Sequence, residues 1–214
     1  MLKYFPQKKK KRTPQQLHYI VFYKPFNVLC QFTDNSIPKR AILSDFGNFP
    51  SDVYPVGRLD FDSEGLLLLT NDNILKHKLL SPKFEHPRTY LVQVEKIPDN
   101  TAIEKLQKGV VIEGKKTKPA KVELLLNEPE LPPRNPPIRF RKYIPTSWLK
   151  ITLTEGRNRQ VRKMTACVGH PTLRLVRITF GNITLDSLVP GEMRKLSEEE
   201  IKFLKNSENQ YLST

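Results

Sequence analysis

The chain has 214 residues and a mass of 24.9 kDa, enough for one globular domain or two small lobes and too long for a disulfide-dependent miniprotein. It carries 36 Lys and Arg against 22 Asp and Glu, so its net charge of +14 indicates a polyanionic partner. The longest aliphatic run, Leu66 to Leu69, is far below the roughly 20 residues that cross a bilayer, and the N-terminus lacks the apolar stretch of a secretory signal. We therefore expect a soluble, cytoplasmic protein.

The first 17 residues are strongly basic and poor in apolar side chains. They carry six Lys or Arg residues and no acid, so they cannot bury enough apolar surface to offset the entropy of ordering. We expect a basic disordered tail at 1–17, a folded catalytic domain at 18–205 and a short C-terminal tail at 206–214.

Hydrophobic and turn patterns in the first half of the chain predict short elements. β-Branched and aromatic runs predict strands, a Pro at the first helical position predicts one helix, and an Asp before an apolar 3.6-residue pattern predicts another. The predicted strands are 18–23, 28–32 and 53–56, and the predicted helices are 38–46 and 72–80.

The second half continues with alternating strands and helices around a proline-rich loop at 129–145. The predicted strands are 88–95, 110–112, 121–126, 148–153 and 172–180, and the predicted helices are 98–108, 158–168 and one that begins at the capping box Ser197-x-x-Glu200. Because strands and helices do not alternate strictly as βαβ units, the pattern favours an α+β fold. Phosphate-binding glycine motifs are missing from the sequence, so a nucleotide cofactor has no support.

Polar residues concentrate at 57–65, between a predicted strand and the leucine run. Asp60, Asp62 and Glu64 follow one another at a spacing of two, and loops anchored by strands often carry catalytic groups. A calcium-binding loop is disfavoured because its twelfth position is Asn71 instead of Glu. The spacing alone leaves three interpretations open: a solvated acidic turn, a two-carboxylate hydrolase and a metal-dependent nuclease.

The two cysteines offer no further chemistry. Cys30 and Cys167 are far apart and have no His or Cys neighbours at the spacing of metal ligands. We predict two buried free thiols and no metal site.

The order of residues in the acidic loop is more informative than its composition. Gly57-Arg58-Leu59-Asp60 followed by Asp62-Ser63-Glu64-Gly65-Leu66-Leu67 resembles the catalytic loop of pseudouridine synthases, in particular the RsuA-like ribosomal RNA branch. Three more strings resemble the same family, in the order that it shows: Tyr23-Lys24-Pro25, Arg88-Thr89-Tyr90-Leu91-Val92 and Glu155-Gly156-Arg157-Asn158-Arg159-Gln160-Val161-Arg162-Lys163-Met164. The resemblance spans about residues 18 to 196.

Two stretches narrow the resemblance. Residues 134–139 and 144–150 are similar to the short E-type group, which acts on large-subunit ribosomal RNA. Many RsuA-like enzymes carry a small RNA-binding module before the catalytic domain. The 17 residues before the first predicted strand are too few for one, and the E-type group also lacks it.

The resemblance implies a fold, a reaction and a catalytic set. The fold is the pseudouridine synthase fold, a mostly antiparallel mixed sheet in two lobes with a central cleft. The reaction is the site-specific isomerisation of uridine to pseudouridine in large-subunit (23S) ribosomal RNA, with no metal and no cofactor. The implied catalytic residues are Asp60 as nucleophile or base, Tyr90 stacked on the detached base, and Arg162 as the cation that keeps Asp60 ionised.

The resemblance also implies residues that bind the substrate. Arg58 enters the RNA stack when the target base flips out, and Lys24 shapes the floor of the pocket or a turn beside it. Arg157 and Gln160 belong to the late string. Arg139 lies in the proline-rich loop, where basic side chains would contact phosphates and so position the RNA without reading its sequence: Arg134, Arg139, Arg141 and Lys142.

Each assignment has a structural alternative that the residues alone leave open. Arg162 also suits a solvated basic helix face, and Tyr90 also suits a core position in a strand. A non-enzymatic RNA-binding assembly factor on the same scaffold is the alternative function. The loss of Asp60, Tyr90 or Arg162 would favour this alternative, and all three residues are present. Nothing in the sequence demands more than a monomer.

Overall fold

The computed structural model describes residues 16–139 and 142–206. Most of the expected basic tail, the segment 207–214 and Arg141 lie outside the described residues, so the domain boundaries stay a prediction. The strands are β1 Tyr19–Lys24, β2 Val28–Leu29, β3 Ala41–Ile42, β4 Tyr54–Pro55, β5 Glu64–Thr70, β6 Arg88–Glu95, β7 Val111–Ile112, β8 Lys115–Lys116, β9 Lys121–Leu125, β10 Thr146–Leu153, β11 Thr172–Phe180, β12 Ile183–Thr184 and β13 Met193–Lys195. The α-helices are α1 Asn73–Leu80, α2 Asn100–Lys108, α3 Gln160–Cys167 and α4 Glu198–Asn206.

One nine-stranded sheet runs through both halves of the structure. Its main path is β13-β1-β5-β11-β6-β10-β9, with β4 paired to β5 and β12 paired to β11. Every pairing in this sheet is antiparallel except β5 with β11, which is parallel. The expectation of a mostly antiparallel mixed sheet in an α+β fold is confirmed.

The two halves of the sheet join at the short parallel contact between β5 and β11. Only two residue pairs form it, Val176 with Glu64 and Arg177 with Gly65. Gly65 has φ +103, and a Cβ built there would lie 2.2 Å from the carbonyl oxygen of Arg177. Only glycine allows the backbones to approach this closely, which explains its place immediately after the acidic loop.

Separate apolar clusters support the two halves. The strands β1 and β5 bury residues on both of their faces, one face packing with α1 and α4 and the other with a group of phenylalanines. A third cluster joins β6, β9 and β10 to α2 and α3. The purely apolar run of β5 thus reflects a central strand covered on both sides, and the two lobes follow from the division of the core.

Helix ends match the capping residues in the sequence. Asp72 accepts a hydrogen bond from Leu75 N at 3.0 Å, and Asp99 accepts one from Ala102 N at 2.7 Å. Ser197 and Glu200 exchange the two hydrogen bonds of a capping box at the start of α4. No helix within the described ranges is long and apolar enough to span a membrane.

Two predictions from the sequence are wrong. Residues 38–46 form the strand β3 and a 3₁₀ turn, Leu43–Phe46, instead of an α-helix. There β3 pairs with β2, and this tertiary contact overrides the helix-start preference of proline. Cys167, predicted to be buried, is exposed at the end of α3, whereas Cys30 is half-buried as a free thiol.

The close approach at Gly65 yields a stability prediction. Gly65→Ala places a methyl group against the Arg177 backbone, so we expect it to lower the free energy of unfolding by roughly 3 kcal/mol or more. Gly114→Ala is the matched control, because Gly114 has φ +73 but nothing within 4 Å of a built Cβ. Its cost should stay at the 1–2 kcal/mol or so of left-handed strain. Urea unfolding measures both, and equal losses would contradict the steric account.

Candidate active site

A cleft of about 780 Å³ opens where the two halves of the sheet meet. One wall is the acidic loop, residues 57–61 and Ser63, with neighbours from the first lobe. The other wall comes from the second lobe and from β11: His86, Arg88, Tyr90, the segment 153–161, Leu175, Arg177 and Phe180. The resemblance predicted a site in a central cleft, and Asp60, Tyr90 and Arg58 all line this one.

Hydrogen bonds from residues of the first lobe hold the acidic loop. Leu59 is buried, and its N–H and carbonyl both hydrogen-bond to the Cys30 thiol at 3.2 Å. Lys24 donates from Nζ to Phe61 O at 3.3 Å and to the carbonyl oxygens of Pro25 and Val28 at 2.8 Å each. These contacts on either side of Asp60 fix the backbone while leaving its carboxylate in the cleft.

Two arginines of the second lobe also bind the loop. Arg159 donates from Nη1 and Nη2 to the two carboxylate oxygens of Asp62, both at 2.7 Å. Arg162 donates from Nη2 to the backbone oxygen of Asp62 at 2.6 Å, and its Nε lies 3.4 Å from Asp62 Oδ2. We call Asp62, Arg159 and Arg162 the loop clamp.

The loop clamp corrects one expectation. Arg162 was expected to pair with Asp60, but its carboxylate contact is with Asp62. The cation nearest to Asp60 is Arg159, whose Nη1 lies 3.7 Å from Asp60 Oδ2. The physical reason is the turn at residues 60–63, closed by a hydrogen bond from Ser63 N to Asp60 O at 3.1 Å. It leaves both carboxylates within reach of Arg159, while Arg162 on α3 contacts Asp62. Asp60 keeps a third of its side chain exposed and makes no close two-pronged ion pair with any residue that the structure describes.

Charge and burial shift the pKa values within the clamp. Burial acts to raise the pKa of Asp62, but the hydrogen bonds from Arg159 and the charges of both arginines outweigh it and lower that pKa. Burial lowers the pKa of Arg162, and the hydrogen bond to Asp62 raises that of Arg159. The clamp therefore stays charged at neutral pH.

Backbone strain at Arg159 accompanies the clamp. Arg159 precedes α3 in the left-handed region, with φ 53 and ψ 34, and its side chain does not cap the helix. This conformation costs a non-glycine residue roughly 1–2 kcal/mol. The ion pair with Asp62 is the compensating contact, and it reaches across the cleft.

Lys24 lies beneath the loop and out of reach of a substrate. Its side chain is fully buried and its three hydrogen bonds use every donor of the ammonium group. Burial lowers its pKa to about 8, against the opposing influence of Glu64, Asp62 and Asp60. The expectation that it shapes the pocket floor agrees with this position, whereas a direct contact with RNA does not.

Arg157 and Gln160 were also expected to bind substrate, but their polar groups serve the protein. Arg157 donates to the carbonyl oxygens of Ile112, Lys115 and Lys116, holding the β7–β8 hairpin. Gln160 is buried, donates to Glu155 and accepts from Arg157 N. Both residues border the cleft, yet they shape its wall and offer few donors to a ligand.

The remaining predicted residues differ in their placement. Tyr90 is half-buried at the cleft, next to the apolar core of the second lobe. Arg58 is exposed at the cleft rim. Arg139 is exposed in the loop between β9 and β10, and it is not among the described residues that line the cleft.

The three acids at spacing two do not converge on one point. Asp60 and Asp62 face Arg159, whereas Glu64 is buried and forms a two-pronged ion pair with Arg174 at 2.8 and 2.9 Å. Within the described parts of the chain, no three His, Cys, Asp or Glu residues are arranged to hold a metal ion. This separation disfavours the calcium and nuclease interpretations.

Sequence reasoning missed several residues around Asp60. Arg159 stood in the quoted late string without a role, and Arg88 stood in the string around Tyr90. Cys30, His86 and Arg177 had no distinguishing pattern, since their proximity to the loop arises from tertiary pairing of distant strands. A short spacing cannot reveal a contact such as Arg159 with Asp62, which are 97 positions apart.

Comparison with known proteins agrees with this geometry. Residues 18–167 match the family described as RNA pseudouridylate synthase. "Ribosomal large subunit pseudouridine synthase E" of Xanthomonas campestris pv. campestris is 51% identical over 175 residues, 82% of this chain and 93% of the relative. The protein of the same name from Vibrio vulnificus is 51% identical over 89% of this chain and 80% of the relative.

A solved structure shares the fold. A chain described as a pseudouridylate synthase is 30% identical, with a TM-score of 0.72, over 88% of this chain and 74% of the other. The cleft with Asp60 and Tyr90, the sheet order and these matches lead to one conclusion: the chain belongs to the RNA pseudouridylate synthase family. Its RsuA-like character agrees with the 37% identity to "Ribosomal large subunit pseudouridine synthase B" of Bacillus subtilis, over 87% of this chain.

His86, at the back of the cleft, gives a pH prediction. It is buried and stacked on Phe180, and burial, followed by the charges of Arg88 and Lys78, lowers its pKa from 6.5 to about 4. The unfolded chain therefore binds more protons between pH 6.5 and 4, so stability falls as the pH falls through that window. When the pH falls from 7 to 5, we expect His86 to lower the free energy of unfolding by about 1–2 kcal/mol.

The comparison of two histidine variants isolates this contribution. Urea unfolding gives the free energy of unfolding at pH 7 and at pH 5. Between these pH values it should fall by about 1–2 kcal/mol less in His86→Phe than in the wild type. His77→Gln removes an exposed histidine of α1 and is the control for losing a histidine as such. An unchanged pH dependence in His86→Phe would show that His86 titrates normally.

Proposed function

We propose that this protein isomerises a specific uridine to pseudouridine in large-subunit ribosomal RNA. The observation that carries the proposal is the placement of Asp60 and Tyr90 on facing walls of one cleft, in a member of the RNA pseudouridylate synthase family. The substrate class rests on the two relatives above, both named for the ribosomal large subunit, and on the similarity of residues 134–139 and 144–150 to the E-type group.

The reaction exchanges one glycosidic bond for another and moves one proton. The bond between C1′ of the ribose and N1 of uracil breaks, the base turns, and a bond forms between C1′ and C5. The proton on C5 is then released, and N1 takes one up. Atoms balance without oxidant, reductant or energy source, so the proposed reaction needs no cofactor.

Asp60 is the group proposed to act on the substrate, as nucleophile or base. Asp60 lines the cleft, Arg159 Nη1 lies 3.7 Å from its Oδ2, and the described residues give it no two-pronged ion pair. Asp62 carries the structural ion pair instead. The loop thus separates a held carboxylate from a reactive one two residues away.

Tyr90 and Arg58 are proposed to handle the base. The Tyr90 ring stacks on the uracil while it is detached, and its hydroxyl assists removal of the C5 proton. Arg58, exposed at the rim, occupies the space that the flipped base leaves in the RNA stack. Flipping costs a few kcal/mol, which makes an unpaired or loop uridine the easier target. Arg162 positions the loop through Asp62.

The wider setting follows from the same proposal. The protein acts in the cytoplasm, as a monomer, on ribosomal RNA or a ribosome assembly particle. Its charge of +14 supplies attraction to phosphates, which weakens as salt rises. The alternative of a non-enzymatic assembly factor is not favoured, because a scaffold protein has no need to keep Asp60 and Tyr90 in one cleft and Arg162 on the loop that carries Asp60.

The experiment that tests the proposal uses large-subunit ribosomal RNA transcribed with tritium at C5 of uracil. Purified protein, with chelator present, should release tritium to water and leave the RNA unbroken. Mapping of the modified position should give one site. If neither free RNA nor assembly particles release tritium while the protein binds them tightly, this result favours the assembly-factor alternative.

A variant of Asp60 tests its assigned role. Asp60→Asn keeps the shape of the side chain but removes the charge, so we expect tritium release below about 1% of wild type, as for the loss of other essential catalytic groups. RNA binding, measured by filter retention, should change less than about threefold, because phosphate contacts carry most of the affinity. Activity above a few per cent would remove Asp60 from the reaction.

A further inference from the structure

The arginines around the cleft fall into two groups. Members of the first group direct their guanidinium groups to protein acceptors: Arg40, Arg157, Arg159, Arg162 and Arg174. Members of the second group keep unused donors facing or beside the cleft: Arg58, Arg88 and Arg177. Arg58 already has a proposed role at the rim, and the other two have none.

Arg88 is a half-buried cation without a counter-ion. Among the described residues, its guanidinium has no hydrogen-bond acceptor and no carboxylate within ion-pair distance; its contact is with the Phe180 ring, at 5.0 Å. A Cβ built at Gly156 would lie 3.5 Å from Arg88 Nη1, so the missing side chain leaves space above the guanidinium. All five Arg donors are therefore available to a ligand.

Arg177 adds a deeper donor. It is 97% buried, since 3% of its surface is exposed, and Nε donates to Leu66 O at 2.7 Å. Its Nη2 is buried with no hydrogen-bond partner in the described structure. A buried charged donor left unused is costly, and such groups commonly await a ligand.

Strand register brings the two arginines onto one wall. Arg177 pairs with Tyr90 and Phe180 pairs with Arg88 across the β6–β11 ladder, and directly opposed residues project to the same face. All four line the cleft, so they form a square in which cations and aromatic rings alternate. We call these four residues the arginine–aromatic square.

The charges of the square require an anion. Burial and the nearby charge of Arg177 lower the pKa of Arg88, as expected for two like charges held together. An RNA phosphate carries a permanent negative charge and accepts two parallel hydrogen bonds from a guanidinium, whereas the uracil carbonyls are neutral in the bound substrate. The chemistry of the square therefore suits a phosphate better than a base.

We propose that Arg88 and Arg177 form a binding site for a phosphate group that flanks the target uridine. This inference rests on the proposed function. Arg88 lies two residues from Tyr90 on the same strand face, about 7 Å along β6. That spacing suits a nucleotide whose phosphate sits on Arg88 while its base lies on the Tyr90 ring. The site fixes the flipped nucleotide in the cleft before chemistry begins.

A first experiment needs no catalysis, so it is independent of the proposed activity. The guanidinium Nε–H signals of the wild type and of Arg88→Gln are followed by NMR during titration with uridine 3′,5′-bisphosphate, uridine and inorganic phosphate. The bisphosphate should shift the signals of Arg88 and Arg177 saturably, and uridine should bind at least tenfold more weakly. Arg88→Gln should weaken binding of the bisphosphate by about tenfold. Uridine binding as tightly as the bisphosphate would overturn the phosphate site.

A second experiment uses the tritium-release assay at several salt concentrations. Arg88→Gln should raise KM more than it lowers kcat, and should reduce the slope of log kcat/KM against log salt by about one, with Arg88→Lys restoring part of both. Lys121→Gln removes an exposed charge on β9, away from the cleft, and should keep the wild-type activity and slope. Arg177→Gln should likewise raise KM more than it lowers kcat, and Arg177→Lys replaces it if it does not fold.

The outcomes separate the two proposals. A lower kcat in Arg88→Gln with unchanged KM, salt slope and bisphosphate affinity would assign Arg88 to the uracil and overturn the phosphate site. Saturable bisphosphate binding that depends on Arg88, in a protein that releases no tritium from any RNA, would retain the phosphate site and contradict the proposed function.

Discussion

The active site depends on a single ion-pair arrangement, the loop clamp between Asp62 and the two arginines of the second lobe. The loop belongs to the first lobe by its chain position, and Lys24 and Cys30 hold it there. Arg159 and Arg162 then tie Asp62 to the segment that begins α3. Because charge-assisted, two-pronged pairs are about twice as strong as neutral hydrogen bonds, this contact sets the distance between the walls of the cleft.

The neighbouring acids of the loop therefore make different contacts. Asp62 pairs with the arginines and Glu64 is buried against Arg174, so of these three loop acids it is Asp60 whose side chain lines the cleft. The arginines show a similar division: those that hold the protein together have acceptors, whereas among the described residues Arg177 Nη2 and the Arg88 guanidinium in the arginine–aromatic square do not. On this proposal, the paired charges hold the lobes together and the charges without protein partners contact RNA.

Much of this architecture could be predicted from the sequence, and the rest shows what local patterns lack. Alternation and capping residues located β6, α1, α2 and the start of α4, and the residue order around Asp60 indicated the family. The expected partner of Arg162 was wrong, because the turn at residues 60–63 brings Asp60 and Asp62 near the same arginines, and the position of α3 decides between them. Arg157 and Gln160 were assigned to the substrate, yet hydrogen bonds to a distant hairpin and to Glu155 occupy them. The role of Arg177 arises from strand pairing, which no short motif encodes.

The most direct test compares Asp62→Asn with Asp60→Asn by amide hydrogen exchange at Leu59 and Ser63, alongside single-turnover tritium release. The amides of both residues hydrogen-bond within or beneath the loop. If the loop clamp holds the site and Asp60 performs the chemistry, Asp62→Asn speeds exchange at these amides and lowers turnover only partly. Asp60→Asn should leave exchange unchanged and abolish turnover. Faster exchange in Asp60→Asn, with a well-protected loop in Asp62→Asn, would contradict this account.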